Sequence, residues 1–215
     1  MCFSATASFT AAAVLSTTGV VTLKKAKSTS ELPLASIPLL FGIQQAIEGI
    51  VWISFGSTLL NTIAAYGFLF FAYVLWPILV PIATLLVETH PLRRRILQAF
   101  SAVGLAIGLY LLYFLVLEPG QAHILNQSIA YDFRHVYDLL YVAPYVVVTT
   151  VSGMVSSHRI LNLFGFTAFV AFLVTQWFYN VNFISVWCFF AAILSVFIFW
   201  HFKQKSVAER RVETG

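Results

Sequence analysis

The sequence predicts an all-α protein that crosses a membrane seven times, with the N-terminus outside and the C-terminus in the cytoplasm. Apolar residues make up 60% of the 215 and charged residues 9%, whereas soluble domains carry about 25% charged residues. Each apolar segment is about 19–26 residues long, close to the ~20 that a membrane-spanning helix needs. The segments cover residues 4–23, 34–56, 62–87, 96–117, 136–157, 160–178 and 181–202.

The basic residues predict the orientation. If the gaps between segments are assigned alternately to the two sides, eleven of the 12 Lys and Arg residues fall on one side and only Arg134 on the other. Basic loops stay in the cytoplasm, so this side is the inner one. Residues 1–202 are therefore expected to form the bundle and residues 203–215 a charged cytoplasmic tail. The eleven are Lys24, Lys25, Lys27, Arg93, Arg94, Arg95, Arg159, Lys203, Lys205, Arg210 and Arg211.

Composition and motifs exclude several classes. The net charge of +4 comes from short-loop residues that face lipid headgroups, so the expected partner is the bilayer and not a nucleic acid. No predicted span contains a lysine, which excludes a retinal Schiff base. The chain carries neither a phosphate-binding glycine loop nor a nucleophile elbow. Whether the protein is an enzyme remains open, and nothing indicates its oligomeric state.

An acidic residue within the second span is the first candidate for function. Gln45, Glu48 and Trp52 share one helix face, and Gln44 lies beside them. A carboxylate at this depth costs a few kcal/mol unless it is protonated, paired or hydrated. Glu48 is therefore interpreted as a proton carrier, a counter-charge for a ligand or a metal ligand. The alternative is a protonated carboxyl that only joins helices.

The fifth span carries a stripe of polar side chains at helical spacing. On a lipid-facing surface these polar groups would have no hydrogen-bond partners, so the stripe should face the interior of the bundle. It could line a cavity or a proton path, or it could form a row of interhelical hydrogen bonds worth about 0.6 kcal/mol each. The stripe contains Asp138, Tyr141, Tyr145, Thr149, Ser152 and Ser156.

Metal binding is a second possibility at the outer side. His135 and Asp138 are three residues apart, and such a pair can bind a divalent metal such as zinc or pass protons. Cys2 and Glu48 would complete the ligand set. A simply solvated His135 is the alternative. At the cytoplasmic ends of the spans, three further histidines are better explained as interfacial than as an inner metal site. They are His90, His158 and His201.

Two other spans carry packing features. Span one has a small residue at every fourth position from Ser4 to Ser16, which predicts a close helix-packing seam. In span three, Pro77 and Pro81 each remove a backbone donor and should kink the helix. Trp76 lies near the membrane midplane, away from the interfaces where tryptophans usually anchor, and is a candidate pocket wall.

Four sequence motifs resemble those of a family of small bacterial integral membrane proteins of unknown function. They are MCFSATASF at 1–9, IPLLF at 37–41, QQ at 44–45 followed by Glu48, Gly49 and Trp52, and Trp76-Pro77 with Pro81. The resemblance implies a multi-pass protein of the bacterial inner membrane. It also implies that the signature residues are Cys2, Ser4, Gln44, Gln45, Glu48, Trp52, Trp76, Pro77 and Pro81.

Together these patterns predict a polar pocket that opens to the extracytoplasmic side. The first functional hypothesis is a small-ligand transporter or sensor, proton-linked through Glu48, with the pocket continuing along the span-five stripe. The second is a metal-dependent membrane hydrolase that uses Cys2, Glu48, His135 and Asp138. The third is a structural subunit of a membrane complex. The expected ligand-binding side chains are Gln44, Gln45, Glu48, Trp52, Trp76, Tyr141 and Tyr145.

Overall fold

In the part of the chain that the structure describes, six helical segments are long and apolar enough to cross a membrane, and a shorter apolar helix covers Val142–Val155. The computed structural model describes residues 4–118, 121–125, 128–132, 139–179 and 182–213. The prediction of a helical membrane protein is confirmed at this level. The six long segments are Ala5–Leu23, Thr29–Ile53, Thr58–Val87, Pro91–Leu117, Arg159–Phe178 and Phe183–Ser206.

Several long segments consist of more than one element. The helices are α1 (Ala5–Leu23), α2 (Leu32–Ile53), α3 (Thr58–Leu69), α4 (Trp76–Val87), α5 (Pro91–Leu117), α6 (Leu139–Val146), α7 (Ser152–Val155), α8 (Arg159–Phe178), α9 (Phe183–Leu194) and α10 (Val196–Glu213). A first π-helical segment, Phe70–Leu75, joins α3 to α4, and a second, Val147–Val151, joins α6 to α7. A short 3₁₀ turn, Thr29–Glu31, precedes α2. The charged residues that follow position 203 continue α10 as far as Glu213.

A β-hairpin, which the sequence did not predict, follows α5. Strand β1 (Gln121–Leu125) pairs antiparallel with β2 (Ser128–Asp132). Tyr131 is buried and stacks on Phe68 of α3, with ring centroids 4.6 Å apart. Asn182 donates its side-chain amide to the carbonyl of Leu125 over 2.7 Å. The hairpin therefore packs onto the bundle at the "hairpin end", where α5 ends. The opposite end, which carries Lys24, Arg94, Arg159 and Lys205, is called the "basic end".

Pro77 changes the backbone hydrogen bonding at the end of the first π segment. Within this segment the N–H of Trp76 bonds to the carbonyl of Phe71, five residues earlier. The next bond of this kind would join Pro77 to Ala72, but proline has no N–H to donate. The hydroxyl of Tyr145 instead donates to the Ala72 carbonyl. A side chain of α6 thus satisfies a backbone acceptor that the proline leaves free.

Pro81 frees a second carbonyl, and α5 packs against it. The carbonyl of Pro77 would accept the N–H of residue 81 in an ordinary α-helix, but Pro81 has none. A Cβ added at Gly104 of α5 would collide with this oxygen, and one at Gly108 would meet Ile78 at 2.6 Å. Only glycine allows α5 to approach α4 this closely.

Replacing Gly104 with alanine should therefore destabilise the protein. The added methyl group meets a backbone atom that cannot rotate away, so the cost should be that of overpacking, about 1–3 kcal/mol. We expect a lower thermal unfolding midpoint in detergent for Gly104→Ala. Gly56→Ala is the matched control, because a Cβ at Gly56 meets no atom within 4 Å. Equal midpoints for the two variants would contradict this packing.

Candidate functional site

Glu48 lies at the centre of a buried polar group inside the bundle. Gln44, Gln45 and Glu48 have no exposed surface. The Glu48 carboxylate accepts a hydrogen bond from the Ser185 hydroxyl of α9 over 2.5 Å, and Ser8 of α1 lies beside it. Three helices therefore meet at this carboxyl group. The acid predicted in span two is part of the interior of the bundle and not of an exposed pocket wall.

Trp76 orients one of the two glutamines. Its indole N–H donates to the side-chain oxygen of Gln44 over 2.8 Å. The indole ring stacks on Phe41 at a centroid distance of 3.9 Å. Because the Gln44 oxygen accepts this bond, the amide nitrogen of Gln44 is left as a buried donor. Trp76 was predicted as a pocket wall, and it is a buried hydrogen-bond donor as well.

Many polar atoms around Glu48 are buried but make no hydrogen bond within the described part of the chain. Each unpaired buried atom costs about 1–3 kcal/mol of folding free energy. Most of these atoms lie within about two turns of α2. These atoms are Ser8 Oγ, Gln44 Nε2, Gln45 Oε1, Gln45 Nε2, Glu48 Oε2 and Trp52 Nε1. We call Ser8, Gln44, Gln45, Glu48, Trp52, Trp76 and Ser185 the "Glu48 cluster".

A small cavity adjoins the cluster where two spans are interrupted. Its volume is about 30 Å³, and its lining includes Trp76, Tyr145, Thr149, Thr150 and Cys188. Trp76 follows the first π segment, and both threonines belong to the second. A cavity of this size holds one or two water molecules. The predicted residues Trp76 and Tyr145 therefore come together at a small cavity with a mostly apolar wall, large enough for water by volume.

The polar stripe of the fifth predicted span faces the interior, as its spacing indicated. Tyr145, Thr149, Ser152 and Ser156 are all buried. The Ser152 hydroxyl has no hydrogen-bond partner in the described residues. The Ser156 hydroxyl accepts from the backbone N–H of His158 over 3.2 Å. The stripe thus runs from the cavity to the basic end of the bundle.

At the basic end, four chain segments enclose a cleft of about 580 Å³. We call it the "basic cleft". The rings of His158 and His201 meet edge to face in it, with centroids 4.9 Å apart. These histidines were interpreted only as interfacial residues. Sequence spacing could not reveal the cleft, because its residues come from different connections. Its polar and charged lining is Ser30, Glu31, Glu88, Thr89, Arg94, His158, His201 and Lys205.

Glu88 forms hydrogen bonds with the connection before α5 and with the connection before α8, at one side of the basic cleft. One carboxylate oxygen accepts the backbone N–H groups of Thr89 and His90 at 3.0 and 2.9 Å and the Ser157 hydroxyl at 2.7 Å. The other accepts the Ser157 N–H at 2.6 Å. Burial alone would raise the pKa of Glu88, but these four bonds outweigh it and lower the pKa to about 2.

Glu88→Gln should therefore destabilise the protein at neutral pH. The folded-state pKa of about 2 lies below the ordinary 4.5, so the charged form contributes at most about 3 kcal/mol above pH 4.5. This contribution disappears as the pH falls from 4.5 through 2. We expect the wild-type and Glu88→Gln unfolding midpoints in detergent to differ by several degrees at pH 7 and to converge in acid.

Glu31→Gln is the matched control for Glu88→Gln. Glu31 accepts the backbone N–H of Lys27 and pairs with Lys205, whose side chain is 39% exposed; an ion pair with so exposed a partner contributes at most about 1 kcal/mol. Its loss should change the midpoint little. A pH-independent difference between wild type and Glu88→Gln would show that the carboxylate charge of Glu88 does not join the two connections.

The predicted metal site lies largely outside the described residues. This applies to Cys2, His135 and Asp138, and the side chain of Tyr141, which was predicted to bind a ligand, also lies outside them. Among the residues that are described, no group of three or more His, Cys, Asp or Glu side chains could hold a metal ion. The metal-ligand set therefore stays a prediction.

The chain belongs to a family of unknown function, DUF6629, whose model matches residues 1–213. This confirms the resemblance to an uncharacterised family. No curated protein and no solved structure matches the chain.

Proposed function

We propose that this member of the family is a proton-linked membrane transporter or sensor in which Glu48 binds and releases the proton. The proposal includes seven spans, with Val142–Val155 as the core of the fifth. It also includes the orientation that the basic residues favour, with the N-terminus outside and the basic end in the cytoplasm.

The contrast between two buried acids carries the proposal. Glu88 accepts four hydrogen bonds, which is how a carboxylate with a purely structural role is held. Glu48 accepts one bond of good geometry, from Ser185; Ser8 and Gln45 approach the carboxyl group as well, but its second oxygen completes no hydrogen bond in the described chain. A structural acid in the interior of a membrane protein would be selected for full pairing. Partial pairing suits a group that gains and loses a proton.

The size of the adjoining space favours a proton over an organic ligand. The cavity beside the Glu48 cluster measures about 30 Å³, whereas sites for organic molecules measure about 300–1,000 Å³. One or two waters fit there, about two turns of α2 from Glu48, so a proton would pass between the cavity and the carboxyl group through the Glu48 cluster. A water bound to the unpaired atoms of Gln45 and Ser8 could complete this route.

The cluster, the cavity and the basic cleft follow one another along the bundle. On α2, Glu48 belongs to the cluster and Phe41 to the cavity, about 10 Å apart at 1.5 Å per residue. On the last span, Ser185 bonds to Glu48, Ala191 lines the cavity and His201 lines the cleft. Two spans thus give the same order, which supports a path from Glu48 towards the cytoplasm.

Interrupted helices border this path. The spans that contain the two π segments both line the cavity. Segments of this kind are frequent at functional sites, and transporters bind their substrates where membrane helices are broken. The breaks allow small rearrangements near Glu48 while the outer turns of each span stay in place.

Glu48→Gln should abolish proton movement while the fold is kept. Glutamine has almost the same shape and can still accept from Ser185, but it cannot exchange a proton. Purified protein would be reconstituted in vesicles that contain a pH-sensitive dye, and proton entry would be driven by a potassium diffusion potential. We expect flux with the wild type, background flux with Glu48→Gln and wild-type flux with Glu118→Gln, a control at the end of α5.

Infrared difference spectroscopy separates the remaining outcomes. A carboxyl band that responds to pH in the wild type and is absent in Glu48→Gln, without flux, would favour a sensor over a transporter. Flux that is equal in wild type and Glu48→Gln, or the absence of both flux and the carboxyl band, would overturn the proposal.

Ser152→Ala tests the path separately. Its hydroxyl is buried and unpaired in the described chain, so its removal should leave the unfolding midpoint unchanged or raise it slightly. If the stripe conducts protons, the same variant should slow proton flux severalfold. Unchanged flux would place the path elsewhere.

A further inference from the structure

We propose that the basic cleft binds a phosphate monoester. This inference does not depend on Glu48, because no member of the Glu48 cluster lines the cleft. It follows from the free hydrogen-bonding capacity of the cleft, from the charges around it and from its size.

The two acids in the cleft are already occupied by donors of the protein. Glu88 accepts four hydrogen bonds from the residues before α5 and α8. Glu31 accepts from the Lys205 ammonium and from the N–H of Lys27. Their negative charges are therefore largely compensated within the protein. A cationic ligand would have to compete for them.

The donors in the cleft retain free capacity. Arg94 donates only through Nη1 in the described structure, to the carbonyls of Leu85 at 3.3 Å and Glu88 at 2.9 Å. These bonds hold the guanidinium group in place while Nε and Nη2 remain available. Lys205 makes one ion pair, with Glu31, and its ammonium group carries two further N–H bonds. A pre-oriented guanidinium and an ammonium group that line the same cleft are suited to phosphate oxygens.

The surroundings of the cleft are also positive. Arg93, Arg95, Arg159 and Lys203 lie within two residues of cleft residues in the chain. Helices α5 and α8 begin here without a side-chain cap, and helix N-termini carry a partial positive charge. A metal ion is a poorer candidate, because no suitable ligand group is present among the described residues.

The size of the cleft indicates more than a bare ion. At about 580 Å³ it lies within the range of sites for small organic ligands. The phosphate would therefore carry an organic group. The cleft lies where the spans end, so the phosphate could come from a soluble phosphate monoester or from the headgroup of phosphatidic acid.

Isothermal titration calorimetry on the full chain in neutral detergent tests the proposal. The two probes are glycerol 3-phosphate and short-chain phosphatidic acid, with glycerol and short-chain phosphatidylcholine as blanks. We expect saturable binding of at least one probe, weakened about tenfold or more in Arg94→Gln. Arg95→Gln removes a neighbouring charge that does not line the cleft, and it should bind like the wild type.

A second pair of variants covers the case in which Arg94→Gln does not fold. Lys205→Gln should weaken binding, and Lys203→Gln should not. Binding of glycerol 3-phosphate supports a soluble ligand, and binding of phosphatidic acid alone supports a lipid headgroup. The proposal is overturned if neither probe binds saturably. It is also overturned if binding is reduced equally in the cleft variants and in their controls.

Discussion

Every polar group in the hydrocarbon layer needs a partner inside the protein, because lipid offers none. This constraint determines how the spans pack. Pro77 and Pro81 leave carbonyls without their usual donors. The hydroxyl of Tyr145 satisfies one of them, and close packing of Gly104 covers the other. The contacts of α4 with α5 and α6 are thus consequences of two prolines in one helix.

The Glu48 cluster is the place in the bundle where this constraint is not met. Around Glu48, six buried polar atoms make no hydrogen bond in the described chain, whereas the Ala72 carbonyl that Pro77 leaves free has a side-chain donor from α6. At about 1–3 kcal/mol each, such a cost would not be concentrated in one place by chance. The proton site proposed at Glu48 would use this hydrogen-bonding capacity, and that use would account for the cost.

Sequence spacing could predict what lies within one span. Gln44, Gln45 and Glu48 are neighbours on α2, and the stripe from Tyr145 to Ser156 follows from helical periodicity. Contacts between distant segments were not predictable. Ser185 lies 137 residues from Glu48 in the chain. The basic cleft is lined by residues from several connections. In the sequence, each of these residues has the pattern of an ordinary interfacial residue.

The β-hairpin shows a different limit of the sequence. Its strands have five residues each and follow a long apolar helix, so hydropathy identifies only a loop. Tyr131 packs inward only because Phe68 of α3 is positioned to stack on it, and β1 is held because Asn182 reaches the Leu125 carbonyl. Tertiary packing therefore determines the β-hairpin, and no local sequence pattern indicates it.

The last span connects the Glu48 cluster to the basic cleft, but it is interrupted between them. Ser185 on α9 bonds to Glu48, and His201 and Lys205 on α10 line the cleft. Between these groups α9 ends at Leu194, and the Ser195 hydroxyl bonds back to the Ala192 carbonyl over 2.6 Å. Different parts of this span therefore serve the two sites. Substitution of Lys205 on α10 should leave the bond between Ser185 and Glu48 in place, which makes the two sites separable by mutation.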